Sequence, residues 1–286
     1  MTAMAALRAL LARDEMLIVP GAYDAITARA VERAGFDAVY MTGAGTAAAL
    51  GYPDYGLATM TEMVDNAGRI AAAVSIPVIA DADTGYGNEL NVARTVREYE
   101  RRGVAAIHLE DQVFPKRCGH LDEKRVIAAE DFVSKIRAAA ASRTDPDFLL
   151  IARTDARAVI GLDEAIARAN AALAAGADVA FVEAPETLDE VRAVPSRVRG
   201  PCLLNYVLGG KTPALDLDEA ERAGYRLAIV PGLLLITSLI ACEDALAELR
   251  ATRRHPKPPR AMSLKDAFRR FGAEEWDALR RRFGAS

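Results

Sequence analysis

The chain has 286 residues, 51% of them hydrophobic and 27% charged, with a formal net charge of −4 at pH 7. These values describe an ordinary globular protein with an ample core, and they argue against a nucleic-acid partner, which calls for a basic face. The length exceeds the common domain of ~100–200 residues but suits a single α/β barrel of ~250 with an appended segment.

In chain order, Met1 to Leu11 is Ala/Leu-rich and carries Arg8, and it reads as a helix rather than a signal peptide. Eight short apolar runs follow: Leu17–Pro20, Ala38–Met41, Ile76–Ala80, Ala105–Leu109, Phe148–Ala152, Asp178–Val182, Cys202–Leu204 and Arg226–Val230. Each ends in polar or glycine residues and leads into a helical pattern, as parallel β/α units do. Four are introduced by a similar phrase, Ala34-Gly35, Arg102-Gly103, Ala175-Gly176 and Ala223-Gly224, in which glycine closes a helix by turning left-handed. Eight such units close most naturally into a (β/α)8 barrel, with an open doubly wound sheet as the alternative. The longest apolar run, Pro231 to Cys242, is too short to span a membrane. Arg253 to Arg260 is a proline-rich basic connector, and Ser263–Phe271 and Ala273–Phe283 read as helices. The expected division is a barrel over residues 1–250 and, over 251–286, a connector and helices that pack on the barrel or on a neighbouring subunit. Cys118, Cys202 and Cys242 have neither disulfide nor zinc spacing, which fits a reducing cytoplasm.

Polar residues end several strands. Because alternate strand residues share a face, Tyr40 with Thr42, Asp81 with Asp83, His108 with Glu110, and Arg153 with Asp155 point together. Glu183 and Asn205 stand in similar places on strands six and seven. All would gather at the mouth formed by the carboxyl ends of the strands, where barrel enzymes place their sites. Beyond Glu110-Asp111 lies Lys116-Arg117-Cys118-Gly119-His120, a thiol among cations whose proton is expected to move near neutral pH. The clustered carboxylates suit Mg²⁺, which takes one or two carboxylates, waters and a chelating substrate. The combination points to chemistry on a small carboxylate.

Two louder signals carry less. Gly43-Ala44-Gly45-Thr46-Ala47-Ala48 fits a dinucleotide pattern but follows the second of eight strands, so a turn of backbone N–H groups that cradles a carboxylate is the better reading. Gly209-Gly210-Lys211-Thr212 resembles the end of a P-loop, yet Asn205 stands where the first glycine is required and Pro213 follows at once.

At these residues the chain resembles the isocitrate lyase/phosphoenolpyruvate mutase superfamily over nearly its full length. The resemblance rests on Pro20 to Ala25, Tyr40 to Gly43, Asp81 to Gly87, His108 to Gln112, Lys116 to His120, Ile151 to Ala156 and Asn205 to Pro213. It implies a (β/α)8 barrel whose eighth helix is exchanged between paired subunits, commonly in a tetramer built as a dimer of swapped dimers. It also implies a Mg²⁺ site, with Mn²⁺ as a possible substitute, in which Asp81, Asp83 and Glu110 hold the ion directly or through water, with Asp54 nearby. Thr42, Gly43 and Ala44 would bind a substrate carboxylate, and Gly119, His120, Arg153, Glu183 and Asn205 would line the rest of the pocket. In the superfamily's lyases the cysteine of the Lys-x-Cys-Gly-His run, here Cys118, is the acid on a closing loop, and phosphoenolpyruvate mutase lacks that motif.

Tyr40, or a metal-bound water positioned by Glu183, would accept the proton of the substrate hydroxyl, while Lys116, Arg117 and His120 would offset the charge that develops. Two departures narrow the substrate. The isocitrate and methylisocitrate lyases carry an arginine five residues after the proline that ends strand eight; here that proline is Pro231 and the residue is Ile236. Leu208 stands where close relatives have an acidic residue. Both argue against a tricarboxylate. The sequence therefore leads to a carbon–carbon lyase acting on a 2-hydroxy dicarboxylate of the substituted malate type, giving a 2-oxo acid and a carboxylate. A phosphorylmutase of the carboxyvinyl-carboxyphosphonate or phosphonopyruvate type, an oxaloacetate decarboxylase, and a barrel that only binds a 2-oxo acid are the alternatives.

Overall fold

The computed structural model describes residues 1–284. The chain runs α1 (Ala3–Leu11), β1 (Leu17–Ala22), α2 (Ala25–Arg33), β2 (Val39–Met41), α3 (Gly43–Ala49), α4 (Met60–Ala73), β3 (Val78–Asp81) and α5 (Glu89–Arg101). It continues through β4 (Ala106–Glu110), α6 (Ala129–Ser142), β5 (Leu149–Thr154), α7 (Ala156–Val159), α8 (Leu162–Ala174), β6 (Val179–Val182), α9 (Leu188–Arg197) and β7 (Cys202–Asn205). The last elements are α10 (Leu217–Ala223), β8 (Leu227–Val230), α11 (Leu233–Thr252), α12 (Leu264–Arg269) and α13 (Ala273–Phe283).

The eight strands pair in sequence order, all parallel, and close into a barrel when β8 meets β1 with Leu17 beside Leu227 and Pro20 beside Val230. This is the (β/α)8 barrel expected from the sequence. Every expected strand is present, and the glycines of the four introductory phrases all take positive φ, between 79° and 110°. Strands β1, β3, β4, β5 and β7 run one or two residues past their apolar runs, to Ala22, Asp81, Glu110, Thr154 and Asn205. Alternation permits this, because a polar side chain can face the mouth while its backbone stays in the ladder.

Two compact units divide the chain. The barrel occupies Met1–Leu235, and the second unit begins at Ile236, inside α11. The expected division after residue 250 falls instead near the end of that helix at Thr252. Within the second unit, Ile236, Leu239, Ile240, Leu246, Leu264, Phe268, Trp276 and Phe283 are exposed. Residues 285 and 286, the end of the expected C-terminal segment, lie outside the described residues. Among the described residues no helix is long and apolar enough to cross a membrane.

Register brings the site together. Asp81 on β3 stands beside His108 on β4, and Glu110 on β4 stands beside Arg153 on β5. From the helix layer, the buried Tyr99 of α5 donates its hydroxyl hydrogen to the Asp81 carbonyl at 2.8 Å, tying the outer ring to the mouth. The barrel closes tightly at Gly21, where an added Cβ would lie 2.5 Å from the Cα and carbonyl oxygen of Pro231. Backbone on both sides leaves no side chain free to move aside. Gly21→Ala should therefore destabilise the fold by about 1–3 kcal/mol, as overpacking does, seen as a lower denaturant midpoint. An unchanged midpoint would contradict this close approach of β1 and the end of β8.

Candidate active site

A cavity of about 140 Å³ opens at the carboxyl ends of the strands. Its walls bring together Tyr40, Thr42, Ala44, Asp54, Asp81, Cys118, Gly119, His120, Arg153, Glu183 and Asn205. Of the residues expected to form the site, Gly43, Asp83, His108, Glu110, Lys116, Arg117 and Asp155 do not line it. Gly43 stands directly behind, its N–H donating to Asp81 Oδ2 at 3.2 Å. The glycine-rich run after β2 opens α3 with Thr42 as its N-cap, so one of the N–H groups expected to cradle a carboxylate is already engaged by Asp81. The far wall is apolar: Phe181, Val207, Ile229, Pro231 and Leu235. The sequence reading did not select these residues, although parity could have found two of them, since Phe181 lies two before Glu183 and Ile229 two before Pro231.

Asp81 lines the cavity while Asp83 and Glu110 do not, and all three are buried. His108, buried between them, places Nε2 2.6 Å from the Tyr40 hydroxyl and 3.2 Å from Asp81 Oδ1. It is thus both an interior histidine and a support for the site. Burial pushes the Asp81 carboxyl upward, but His108, Lys116 and Arg153 outweigh it and hold the group well below the usual range. Asp83 and Glu110 behave oppositely. Burial, with the neighbouring carboxylates, raises Asp83 to about 6 despite Lys116, and raises Glu110 well above its ordinary value despite Arg153.

Both Glu110 oxygens are buried without a hydrogen-bond partner, and Asp83 Oδ1 has only its ion pair with Lys116. Their nearest charges are Lys116 Nζ, 2.8 Å from Asp83, and Arg153 Nη1, 3.3 Å from Glu110. Among the described residues no group of three or more His, Cys, Asp or Glu side chains is drawn together to hold an ion by itself. The under-paired, oxygen-only donors of Asp83 and Glu110 fit Mg²⁺, which keeps several waters and takes one or two carboxylates directly.

The thiol loop differs from the sequence expectation. Lys116 turns away from Cys118 and bridges Asp54, at 2.5 Å, and Asp83. Arg117 pairs with the exposed Glu123 at 3.0 Å and lies over the Tyr55 ring. Only His120 of the three flanking cations faces the cavity, and burial lowers its affinity for a proton. Cys118 is accordingly not loosened: burial, Asp54 and Glu183 push its thiol up. It is a protonated group aimed into the cavity, as an acid must be. Burial and Asp81 likewise raise the proton affinity of the Tyr40 phenol, whose hydroxyl lies 2.6 Å from His108 Nε2 and donates toward Asp81 Oδ2 at 3.4 Å.

Arg153 lines the cavity and is surrounded by carboxylates. Its guanidinium bonds Asp155 at 3.0 and 3.2 Å and reaches Glu183 at 3.8 Å. Asn205 donates to both oxygens of Glu183, at 3.2 and 3.3 Å, and its own Oδ1 has no partner. A Cβ at Gly119 would collide with both Arg153 and Glu183, so this loop position must be glycine if the loop is to close. Lys124, buried and unforeseen in the sequence, bonds Asp155 at 2.8 Å and the Gly119 carbonyl.

Asp111 shows the opposite parity to Glu110 and turns into the helix layer. It accepts from Thr154 Oγ1 at 2.6 Å, the Asp155 N–H at 2.8 Å and Arg168 of α8 at 3.1 Å. It thus fixes the ends of β4 and β5 and, through them, Arg153. Asp111→Ala would strand a buried guanidinium that retains Glu164 and the Ile127 carbonyl as partners. The expected loss is about 3 kcal/mol, at the low end for a broken buried pair, measured by denaturant unfolding. A variant as stable as the parent would contradict this role.

Comparison with known proteins agrees with this geometry. The family model described as phosphoenolpyruvate phosphomutase matches residues 7–250. The chain is 49% identical over 251 residues to the 2,3-dimethylmalate lyase of Eubacterium barkeri, covering 87% of each chain. It is 45% identical over 243 residues to the 2-methylisocitrate lyase of Aeropyrum pernix, covering 85% of this chain and 78% of the relative. Among solved structures, oxaloacetate acetylhydrolase bound to the inhibitor 3,3-difluorooxalacetate superposes with a TM-score of 0.95 at 38% identity, over 100% of this chain and 98% of that one. A 2,3-dimethylmalate lyase described as a PEP mutase/isocitrate lyase superfamily member gives 0.94 at 42% identity, over 100% and 96%. Phosphonopyruvate hydrolase in complex with oxalate and Mg²⁺ gives 0.89 at 32% identity, over 99% of both chains. The chain belongs to the phosphoenolpyruvate phosphomutase family, within the PEP mutase/isocitrate lyase superfamily of enzymes that includes these carbon–carbon lyases.

Proposed function

We propose that the protein is a Mg²⁺-dependent carbon–carbon lyase that cleaves a 2-hydroxy dicarboxylate of the substituted malate type into a 2-oxo acid and a carboxylate. The observation that carries this reading is the buried, protonated thiol of Cys118 in one cavity with Arg153, Asn205 and Glu183, beside under-compensated carboxylates. Asp81, Asp83 and Glu110, with Asp54 close by, would hold the metal. When bound, Mg²⁺ supplies Lewis-acid stabilisation of charge on the oxygens of the 2-oxo acid portion.

The chain's own groups divide the remaining work. Thr42, Ala44, Arg153, His120 and Asn205 all line the cavity, and in this reading the first two hold one substrate carboxylate and the other three hold the second. A planar guanidinium suits a carboxylate through paired hydrogen bonds. Glu183 is the better acceptor for the hydroxyl proton, because burial and Asp81 disfavour a phenolate at Tyr40. As the carbon–carbon bond breaks, its electron pair passes to the carbon next to the departing carboxylate. The Cys118 thiol delivers a proton to that carbon, and the loop excludes water meanwhile. The apolar wall of Phe181, Ile229, Pro231 and Leu235 supports an alkyl-bearing substrate over one with a third carboxylate.

The free cysteines fit a reducing cytoplasm. The exposed apolar residues of α11–α13 support a homo-oligomer in which these helices are buried against a second copy, in the exchanged arrangement of a dimer of dimers. Deleting residues 251–286 should weaken the oligomer or make the protein insoluble, and a parent protein that sediments as a monomer at micromolar concentration would contradict the arrangement.

The activity test is a screen with Mg²⁺ against substituted malates, isocitrates, oxaloacetate and phosphonopyruvate. EDTA should abolish cleavage, and Mg²⁺ or Mn²⁺ should restore it. Cys118→Ser should lower turnover by roughly 10²–10⁴-fold, as expected for one positioned acid–base group, while leaving 2-oxo acid binding nearly intact. Full turnover after metal stripping, or unchanged turnover in Cys118→Ser, would defeat the reading. Interconversion of a phosphoenol ester and a phosphonate without carbon–carbon cleavage would move the chain to the mutases.

A further inference from the structure

We propose that the Gly209-Gly210-Lys211 turn is a positioning element that fixes His120 as the neutral tautomer with its proton on Nε2, directed at Glu183. The backbone N–H of Lys211 donates to His120 Nδ1 at 3.0 Å. A ring nitrogen that accepts a hydrogen bond cannot carry a proton, so the neutral ring must be protonated on Nε2. That atom lies 3.1 Å from Glu183 Oε1, where a donor is required. The Asn205 amide nitrogen, 3.4 Å from Nε2, directs its hydrogens to Glu183 instead.

The turn is built for this contact. A Cβ on Gly210 would lie 2.7 Å from His120 Nδ1 and 2.9 Å from Cε1. Gly210 is not among the residues of positive φ, so glycine answers a need for space against the ring and not a backbone conformation. The Lys211 ammonium turns away from the ring to Asp122 at 2.5 Å, leaving only the backbone N–H against the imidazole. An imidazolium would set Nδ1–H against the Lys211 N–H, donor facing donor. Burial, Arg153 and Lys124 also disfavour the charged ring, and together they outweigh Glu183 and Asp155, which favour it.

His120 is therefore a fixed donor that orients Glu183 and a bound carboxylate. It does not carry the proton that reaches carbon, which must come from Cys118. This last clause rests on the lyase reading; the tautomer does not. The turn that looked like a phosphate loop in the sequence is thus assigned to the imidazole.

The test is ¹⁵N NMR of ¹⁵N-histidine-labelled full-length protein, with the three histidines assigned by His255→Gln and His120→Gln. His120 should show protonated Nε2 and unprotonated Nδ1, and should stay neutral below the ~6.5 of free imidazole. Gly210→Ala should mix the tautomers, return the titration toward that value and lower kcat by about 10²-fold, the scale of a small misplacement. Protonated Nδ1 at neutral pH in the parent protein would overturn the proposal, as would His120 resonances unchanged in Gly210→Ala. The expected spectra in a protein that cleaves no carbon–carbon bond would overturn the lyase reading alone and leave the positioning role standing.

Discussion

Six carboxylates, Asp54, Asp81, Asp83, Glu110, Asp155 and Glu183, crowd one end of an apolar barrel, and each nearby cation is committed to them. Lys116 bridges Asp54 and Asp83, Lys124 holds Asp155, and Arg153 is shared among Glu110, Asp155 and Glu183. Buried charge of one sign is tolerated only when paired or joined to a metal. Three cations facing six anions leave both Glu110 oxygens without a hydrogen bond and Asp83 Oδ1 with Lys116 alone. Burial first, and then the neighbouring carboxylates, raises the affinity of these two groups for protons, and acceptor oxygens of this kind suit a divalent cation.

The same balance governs the thiol run. The Lys116–His120 run is tied down at both ends by buried cations, Lys116 to Asp54 and Asp83, and Lys124 to Asp155 and the Gly119 carbonyl. Cys118 and His120 lie between these anchors and face the cavity without a full charge. Cations engaged elsewhere cannot stabilise a thiolate, so the thiol keeps the proton that an acid needs. The placement of the run and the protonation state of its thiol thus follow from one arrangement of ion pairs.

Much of the barrel was legible in the sequence because its signals are local. Apolar runs, helix-closing glycines and the polar residues after each run mark strands, turns and mouth within a few positions of one another. Parity then put Asp81, His108, Arg153 and Glu183 on the correct face. The cysteine's surroundings were not legible, since neighbours in sequence are not neighbours in space on a loop. Lys116 meets Asp54 across 62 residues and His120 meets Lys211 across 91. Reading Lys116 and Arg117 as partners of the thiol therefore gave the wrong direction for its pKa. The apolar wall escaped notice because Phe181 and Ile229 look like ordinary strand residues until the barrel closes.

The central claim is that Cys118 gives its proton to the carbon released by bond cleavage. Its most direct measurement uses deuterated water, Mg²⁺, the 2-oxo acid and the carboxylate product, following that carbon by proton NMR. The account expects hydrogen–deuterium exchange at the carbon with the parent enzyme and none with Cys118→Ser, although both bind the 2-oxo acid. Exchange at equal rates in the two proteins would contradict it.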